Sequence, residues 1–217
     1  MKKAGILAVI FLCAGVSLSA QFHFSAGVGG IFDASFINGH KSKIDSNSYY
    51  RGQQYYSPGG LVFFDLTYIE ANVSFAYTFA NGIQRTVYND KKEYKGYKDY
   101  NGNMLQLGFS LLGKYPISLG KTTFFPLVGA SYDLVLSGDI NGKVIDEARD
   151  FSQFGVLAGV GFDFDLSNRF FLRTEALANL RFPSSYMKAQ AEAGGITRKA
   201  TFGIGPEIKL GLGFRIF

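Results

Sequence analysis

Eight segments of alternating apolar and polar residues, a secretory leader ahead of them, and connections that alternate short and long predict an all-β chain. The architecture they predict is a closed, antiparallel, up-and-down eight-stranded transmembrane β-barrel. Period-two alternation marks a strand with two unlike faces. Segments of about ten residues have the length a tilted strand needs to cross hydrocarbon.

The 217 residues suffice for one barrel domain, and no shift in composition marks a second. Hydrophobic residues make up 47% and charged residues 18%, with mean hydropathy +0.08, although no long apolar run follows the first twenty positions. Glycine (27), Phe (22) and Tyr (13) are abundant and Trp is absent, a balance that suits many strands and turns.

Residues 1–20 read as a cleaved signal peptide: basic Lys2 and Lys3, an apolar stretch from Ala4 to Val16, and small residues before Gln21, with cleavage after Ser19 or Ala20. Cys13 leaves with the leader, and the Ile-Phe-Leu ahead of it lacks the small residues that lipid attachment needs. The expected mature chain, 21–217, then has no cysteine, which excludes disulfides, thiol catalysis and Cys-based metal sites. Its formal charge falls from +5 to about +3 as Lys2 and Lys3 depart. No nucleic-acid partner is expected of an exported chain.

The first segment sets Phe24, Ala26, Val28, Phe32 and Ala34 against His23, Ser25, Gly27, Gly29 and Asp33. The second sets Val62, Phe64, Leu66 and Tyr68 against Asp65 and Thr67, and the third Ile69, Ala71, Val73, Phe75, Tyr77 and Phe79 against Glu70, Asn72, Ser74 and Thr78. A fourth alternates Leu105, Leu107, Phe109, Leu111 and Tyr115 with Gln106, Gly108, Ser110 and Lys114. The fifth is blurred near Phe124 and Phe125, where both rows are apolar; Ser131 and Asp133 assign Val128, Ala130, Tyr132 and Leu134 to its outer row. The sixth runs Phe154 to Phe164 against Gln153, Gly155, Gly159, Gly161, Asp163 and Asp165. The seventh sets Leu172, Thr174, Ala176, Ala178 and Leu180 against Arg173, Glu175, Asn179 and Arg181. The closing "EIKLGLGFRIF" sets Ile208, Leu210, Leu212, Phe214 and Ile216 against Glu207, Lys209, Gly211, Gly213 and Arg215.

Tight connections fall near Tyr68-Ile69, in "PISLGK" and in "LSNR"; four long polar ones, expected to be extracellular, span about 37–60, 81–103, 137–152 and 183–200. An even strand number brings both termini to the short-turn side, expected to be periplasmic. The polar rows hold many of the glycines and the apolar rows the bulky Phe, Leu, Ile and Val. An eight-stranded barrel has room inside only for side chains, so the bulky rows are expected to face lipid and the charges to point inward.

These strands, turns and loops, with the terminal Phe217, resemble the small outer-membrane β-barrels of the OmpA-transmembrane, OmpX and OmpW type, over essentially the whole mature chain. The resemblance implies insertion among outer-membrane lipids by barrel-assembly machinery that reads Phe217 as its signal. Arg215, Gly213 and Gly211, not apolar residues, share that residue's face, which departs from the family pattern. Closure removes sheet edges, so a monomer is expected.

The inward rows collect Asp33, Asp65, Glu70, Asp133, Asp163, Glu175 and Glu207 with Lys114, Arg173, Arg181, Lys209 and Arg215. Charge inside a small barrel must be paired or hydrated. Arg173 and Glu175 are expected to pair across to Glu207 or Lys209. The cluster of Asp65, Glu70, Lys114, Asp163, Arg173, Glu175, Glu207, Lys209 and Arg215 reads as a packed polar plug that fixes strand register, or as a narrow gate for water, ions or a small solute. Resemblance to the OmpA and OmpW barrels, where interior ion pairs gate and small hydrophobic solutes are carried, keeps the second reading open. A wide pore is not expected, since porins need about 16 strands.

The second long loop interleaves Arg85, Lys91, Lys92, Lys95 and Lys98 with Tyr88, Tyr94, Tyr97 and Tyr100. Basic and tyrosine side chains together suit an anionic surface or host ligand, and the alternative is an ordinary solvated loop with interfacial tyrosines. The third is net acidic, "SGDINGKVIDEARD". His40 lies near Ser42, Asp45 and Ser46, whereas His23 stands at the opposite end. A lone loop histidine is ordinarily solvated, so no enzyme, cofactor or metal is expected. The reading is a structural or adhesin-like surface barrel, with a narrow channel or solute transporter as the alternative.

Overall fold

The computed structural model describes residues 23–37, 40–41, 49–50, 53–81, 85–88, 94–98, 101–140, 142–185 and 202–216. Residues 1–22, which include the expected leader, and Phe217 lie outside them. Eight long strands follow one another: β1 (Phe24–Ile37), β2 (Gln53–Leu66), β3 (Ile69–Asn81), β4 (Gly102–Lys114), β5 (Thr122–Ile140), β6 (Gln153–Asp165), β7 (Phe170–Arg181) and β8 (Gly203–Arg215). Each pairs antiparallel with its sequence neighbour, and β1 pairs with β8, so the meander closes on itself. Among the described residues no helix is long and apolar enough to cross a membrane.

Alternation decides the faces as expected. Val28, Phe64, Phe75, Leu111, Val128, Phe154, Ile208 and Leu210 are exposed on the outside, while Asp65, Glu70, Asp163, Arg173, Glu175 and Lys209 are buried inside. The outward row of β3 runs from Ile69 to Phe79. Ten steps along a strand tilted by about 40° give a band about 25 Å tall, the height of an outer-membrane apolar belt. Aromatic pairs ring both borders of that belt: Phe124–Phe162 and Phe170–Phe214 toward the short turns, Tyr77–Phe79, Phe36–Tyr56 and Phe154–Phe182 toward the long loops. Phe and Tyr thus stand where tryptophan girdles stand in other membrane proteins.

The short connections fall where the sequence places them. Thr67 and Tyr68 make the β2–β3 turn, where Thr67 adopts φ 40 and its hydroxyl accepts from the His23 backbone N–H at 2.8 Å. The strands run further toward the long loops than the alternation marks: β2 begins at Gln53 and β5 ends at Ile140, inside stretches read as loop. Near that end the β4–β5 register shifts between Val135 and Ser137, a bulge that frees backbone for other partners.

One expectation needs correcting. The interior is not confined to small and charged residues. Phe63, Phe125 and Phe171 point inward and are buried, as do Leu61, Leu112, Leu127, Leu157 and Leu177. The inward glycines make the room: a Cβ at Gly27 or Gly211 would run into the Phe63 ring, one at Gly161 into Phe125, and one at Gly213 into Phe171. Bulk and absence of bulk alternate across neighbouring strands, so the barrel is filled rather than lined.

Candidate functional site: a charged lumen

The lumen divides into layers. Nearest the short turns, the tight β2–β3 hairpin sets Asp65 opposite Glu70, and the β6–β7 register sets Asp163 opposite Arg173. Two carboxylates directly across a ladder repel unless a cation stands between them. Arg173 is that cation. It donates from Nε and Nη2 to the two oxygens of Asp163, each at 2.7 Å, from Nη1 to Glu70 at 2.6 Å and from Nη2 to Asp65 at 2.5 Å. Lys114 Nζ adds a contact to the same Asp65 oxygen at 2.5 Å.

The guanidinium carbon also lies 4.8 Å from the Phe63 ring centre, 5.1 Å from Phe171 and 5.2 Å from Phe125. Such cation–π contacts strengthen when water is excluded. Charge, bidentate geometry and three rings therefore close this level of the barrel.

Above it, Glu175 and Glu207 flank Lys209, whose Nζ is 3.3 Å from an oxygen of each. Higher still, Arg181 holds Asp33 at 2.7 Å and Asp133 at 3.0 Å. Asn72 links Glu70 to Ser110, and Asn179 reaches Glu207. Two small cavities flank this level, about 30 Å³ and 20 Å³, both walled by Ser57, Gln106 and Arg181. They have room for one or two waters, not for a passing solute.

The sequence-derived cluster is thus largely one structure. Asp65, Glu70, Lys114, Asp163 and Arg173 converge, and Glu175, Glu207 and Lys209 form the adjoining layer. Arg173 does not pair with Glu207 or Lys209; of the two expected pairings only Glu175–Lys209 forms. Arg215 stands apart at the rim, bound to Asp165 at 2.5 Å.

A feature the sequence did not announce stands at the other end. The third loop folds over the lumen mouth through a one-turn 3-10 helix, Ala148–Phe151, and packs Ile145, Ala148 and Phe151 on Met104 and Val135. At the bulge, the Val135 N–H donates to Ser152 Oγ at 3.1 Å. Backbone released from the ladder thereby latches the cap.

The first two long loops meet as well. His40–Lys41, Tyr49–Tyr50, Arg85–Tyr88 and Tyr94–Lys98 form a separate four-stranded sheet in that order, with Tyr50 opposite Arg85 and Arg85 opposite Lys98. Lys95 and Tyr97 lie on its outermost strand. Lys91, Lys92 and Tyr100 lie outside the described residues, as do Ser42, Asp45 and Ser46 beside His40.

An aromatic-belted, charge-plugged closed barrel defines a class of membrane protein, and the sequence carries the corresponding family profile. The chain belongs to the outer membrane protein beta-barrel domain family, whose profile matches residues 4–212. The membrane it crosses is therefore a bacterial outer membrane. Its fold is similar to that of Neisserial surface protein A (TM-score 0.50, 11% identity, covering 88% of this chain and 96% of that one). Other solved barrels similar to it are OprG from Pseudomonas aeruginosa (0.46, 11%, 90% and 96%) and Ail of Yersinia pestis (0.43, 14%, 91% and 100%). No curated protein sequence matches it.

Proposed function

We propose that this is a plugged surface barrel whose work is done by its long loops, held on the cell exterior with both termini periplasmic, through contact with anionic polysaccharide. The observation that carries this reading is the packed lumen: Arg173, its three carboxylates and three phenylalanines contact one another inside the barrel. The loop sheet supports it further. Pairing gathers the basic and tyrosine-rich stretches of two loops, distant in sequence, into one platform. Cationic and tyrosine groups suit sulfated or carboxylated sugars, which present charge and apolar ring faces together.

The test is retention of the refolded protein on immobilised dextran sulfate. Reversing charge at Lys91, Lys92, Lys95 and Lys98 together is expected to weaken binding at least tenfold and to flatten its salt dependence. Binding unchanged by the four reversals would dismiss this loop.

The two small cavities beside Arg181 favour a second reading, a lumen that opens from them into a narrow gated path for ions or small solutes. The plugged reading expects no discrete conductance steps in a planar bilayer from protein shown to be folded by its unboiled gel shift. Reproducible steps that change in Arg173→Ala or Glu175→Ala would transfer the function to the lumen.

A further inference from the structure

The charges inside the barrel do not balance. Seven inward carboxylates (Asp33, Asp65, Glu70, Asp133, Asp163, Glu175, Glu207) face four inward cations (Lys114, Arg173, Arg181, Lys209) among the described residues. Around the larger cavity the walls supply Asp33, Asp133 and Glu207 against Arg181 and Lys209, and Glu175 leans on that same lysine. Uncompensated negative charge in a poorly hydrated interior is costly, by several kcal/mol or more per ion.

A second, independent observation points to the same place. Asn72 Oδ1, Ser131 Oγ and Asp33 Oδ1 belong to wall residues of this cavity, are buried, and have no hydrogen-bond donor among the described residues. Asn179 Oδ1 is likewise unsatisfied. It and Ser131 Oγ come within 2.7 Å of the point where a Cβ of Gly155 would stand, so the glycine keeps the space between them open. Of the partnerless wall atoms, those of Asn72, Ser131 and Asp33 are oxygens, which are hard ligands; the nitrogen among them, Lys209 Nζ, already lies 3.3 Å from Glu175 and Glu207.

We propose that the mid-lumen cavity binds one alkali-metal cation, held by the Asp33 carboxylate and the neutral oxygens of Asn72 and Ser131. No three carboxylate, imidazole or thiol groups converge among the described residues as a divalent centre would require. One carboxylate among neutral oxygens is a monovalent donor set. A single such ion offsets part of the negative excess and satisfies the orphaned acceptors, and the cavity of about 30 Å³ accommodates it with a water.

The experiment is thermal unfolding of the full refolded barrel in micelles, exchanging N-methyl-D-glucamine chloride for sodium or potassium chloride at constant ionic strength. A ligand that binds only the folded state raises the apparent Tm with the logarithm of its concentration. The expected rise is about 5 °C at saturation. It should be lost in Asp33→Asn and strongly reduced in Ser131→Ala, each confirmed folded by gel shift. Ser131→Ala leaves every ion pair intact and decides the matter alone should Asp33→Asn not fold. A rise undiminished in Ser131→Ala, or no difference between alkali and organic cation, would overturn the site and leave the excess charge to protons and water.

Discussion

Alanine at Arg173 should leave the barrel unable to hold its fold in concentrations of urea that the wild type resists. The residue is 2% exposed and compensates Asp65, Glu70 and Asp163 simultaneously. Removing one partner of a buried pair costs about 3–5 kcal/mol because the other charge remains. Here three carboxylates remain, with Lys114 on Asp65 and the Asn72 amide on Glu70 left to serve them. The expected loss is at the top of that range, a large part of a typical folding free energy. The measurement is the folded fraction on an unboiled gel across a urea series. Arg173→Lys should fall between, since an ammonium keeps the charge but not the bidentate grip. Combining Arg173→Met with Asp65→Asn, Glu70→Gln and Asp163→Asn should recover much of the loss. Failure to recover would mean that packing against Phe63, Phe125 and Phe171, rather than charge, governs this layer.

Valine at Gly205 is expected to cost nearly as much, by a different route. Gly205 faces inward on β8 beside β1, and a Cβ there would fall on the Ala34 carbonyl oxygen, a backbone atom that cannot swing aside. The β1–β8 ladder is already interrupted between the Asp33–Glu207 and Phe36–Ile204 pairs. Pro206 within that gap has no N–H to donate. Overpacking commonly costs about 1–3 kcal/mol, and here the displaced group is the closing seam itself. Gly113→Val is the control. Its Cβ would meet nothing nearer than Val128 O at 3.6 Å, and valine favours strands, so its refolding yield should match the wild type. Equal losses in the two variants would show that strand propensity, not the seam, sets the yield.

Much of this architecture is legible in the residues. The period-two rows identify all eight strands and their outer faces, because lipid on one side and charge on the other make the rows chemically distinct. The inward charges are legible for the same reason, but their partners are not. Asp65 and Arg173 are 108 positions apart, and only the closed register brings them within reach. Phe125 and Leu127 escape detection because both rows of β5 are apolar there, so periodicity carries no information. The inward glycines were a usable clue, since Gly161 and Gly213 leave gaps shaped for rings on neighbouring strands. Loop pairing and the cap of the third loop depend on contacts between segments that share no periodic pattern.

The composition of the Arg173 layer also bears on how the barrel comes to be built. Its members arrive from β2, β3, β4, β6 and β7. A nascent sheet holding only the first four strands carries Asp65, Glu70 and Lys114 without their guanidinium, and one holding only the last four carries Arg173 with Asp163 alone. Neither half can complete the arrangement before the two curl toward each other. Charge compensation therefore arrives late, together with curling and closure, and opening the cylinder must break several of these contacts before any strand is freed. Interactions gained after the rate-limiting step slow unfolding without speeding folding. The barrel's persistence in the membrane is then a matter of rate as much as of equilibrium.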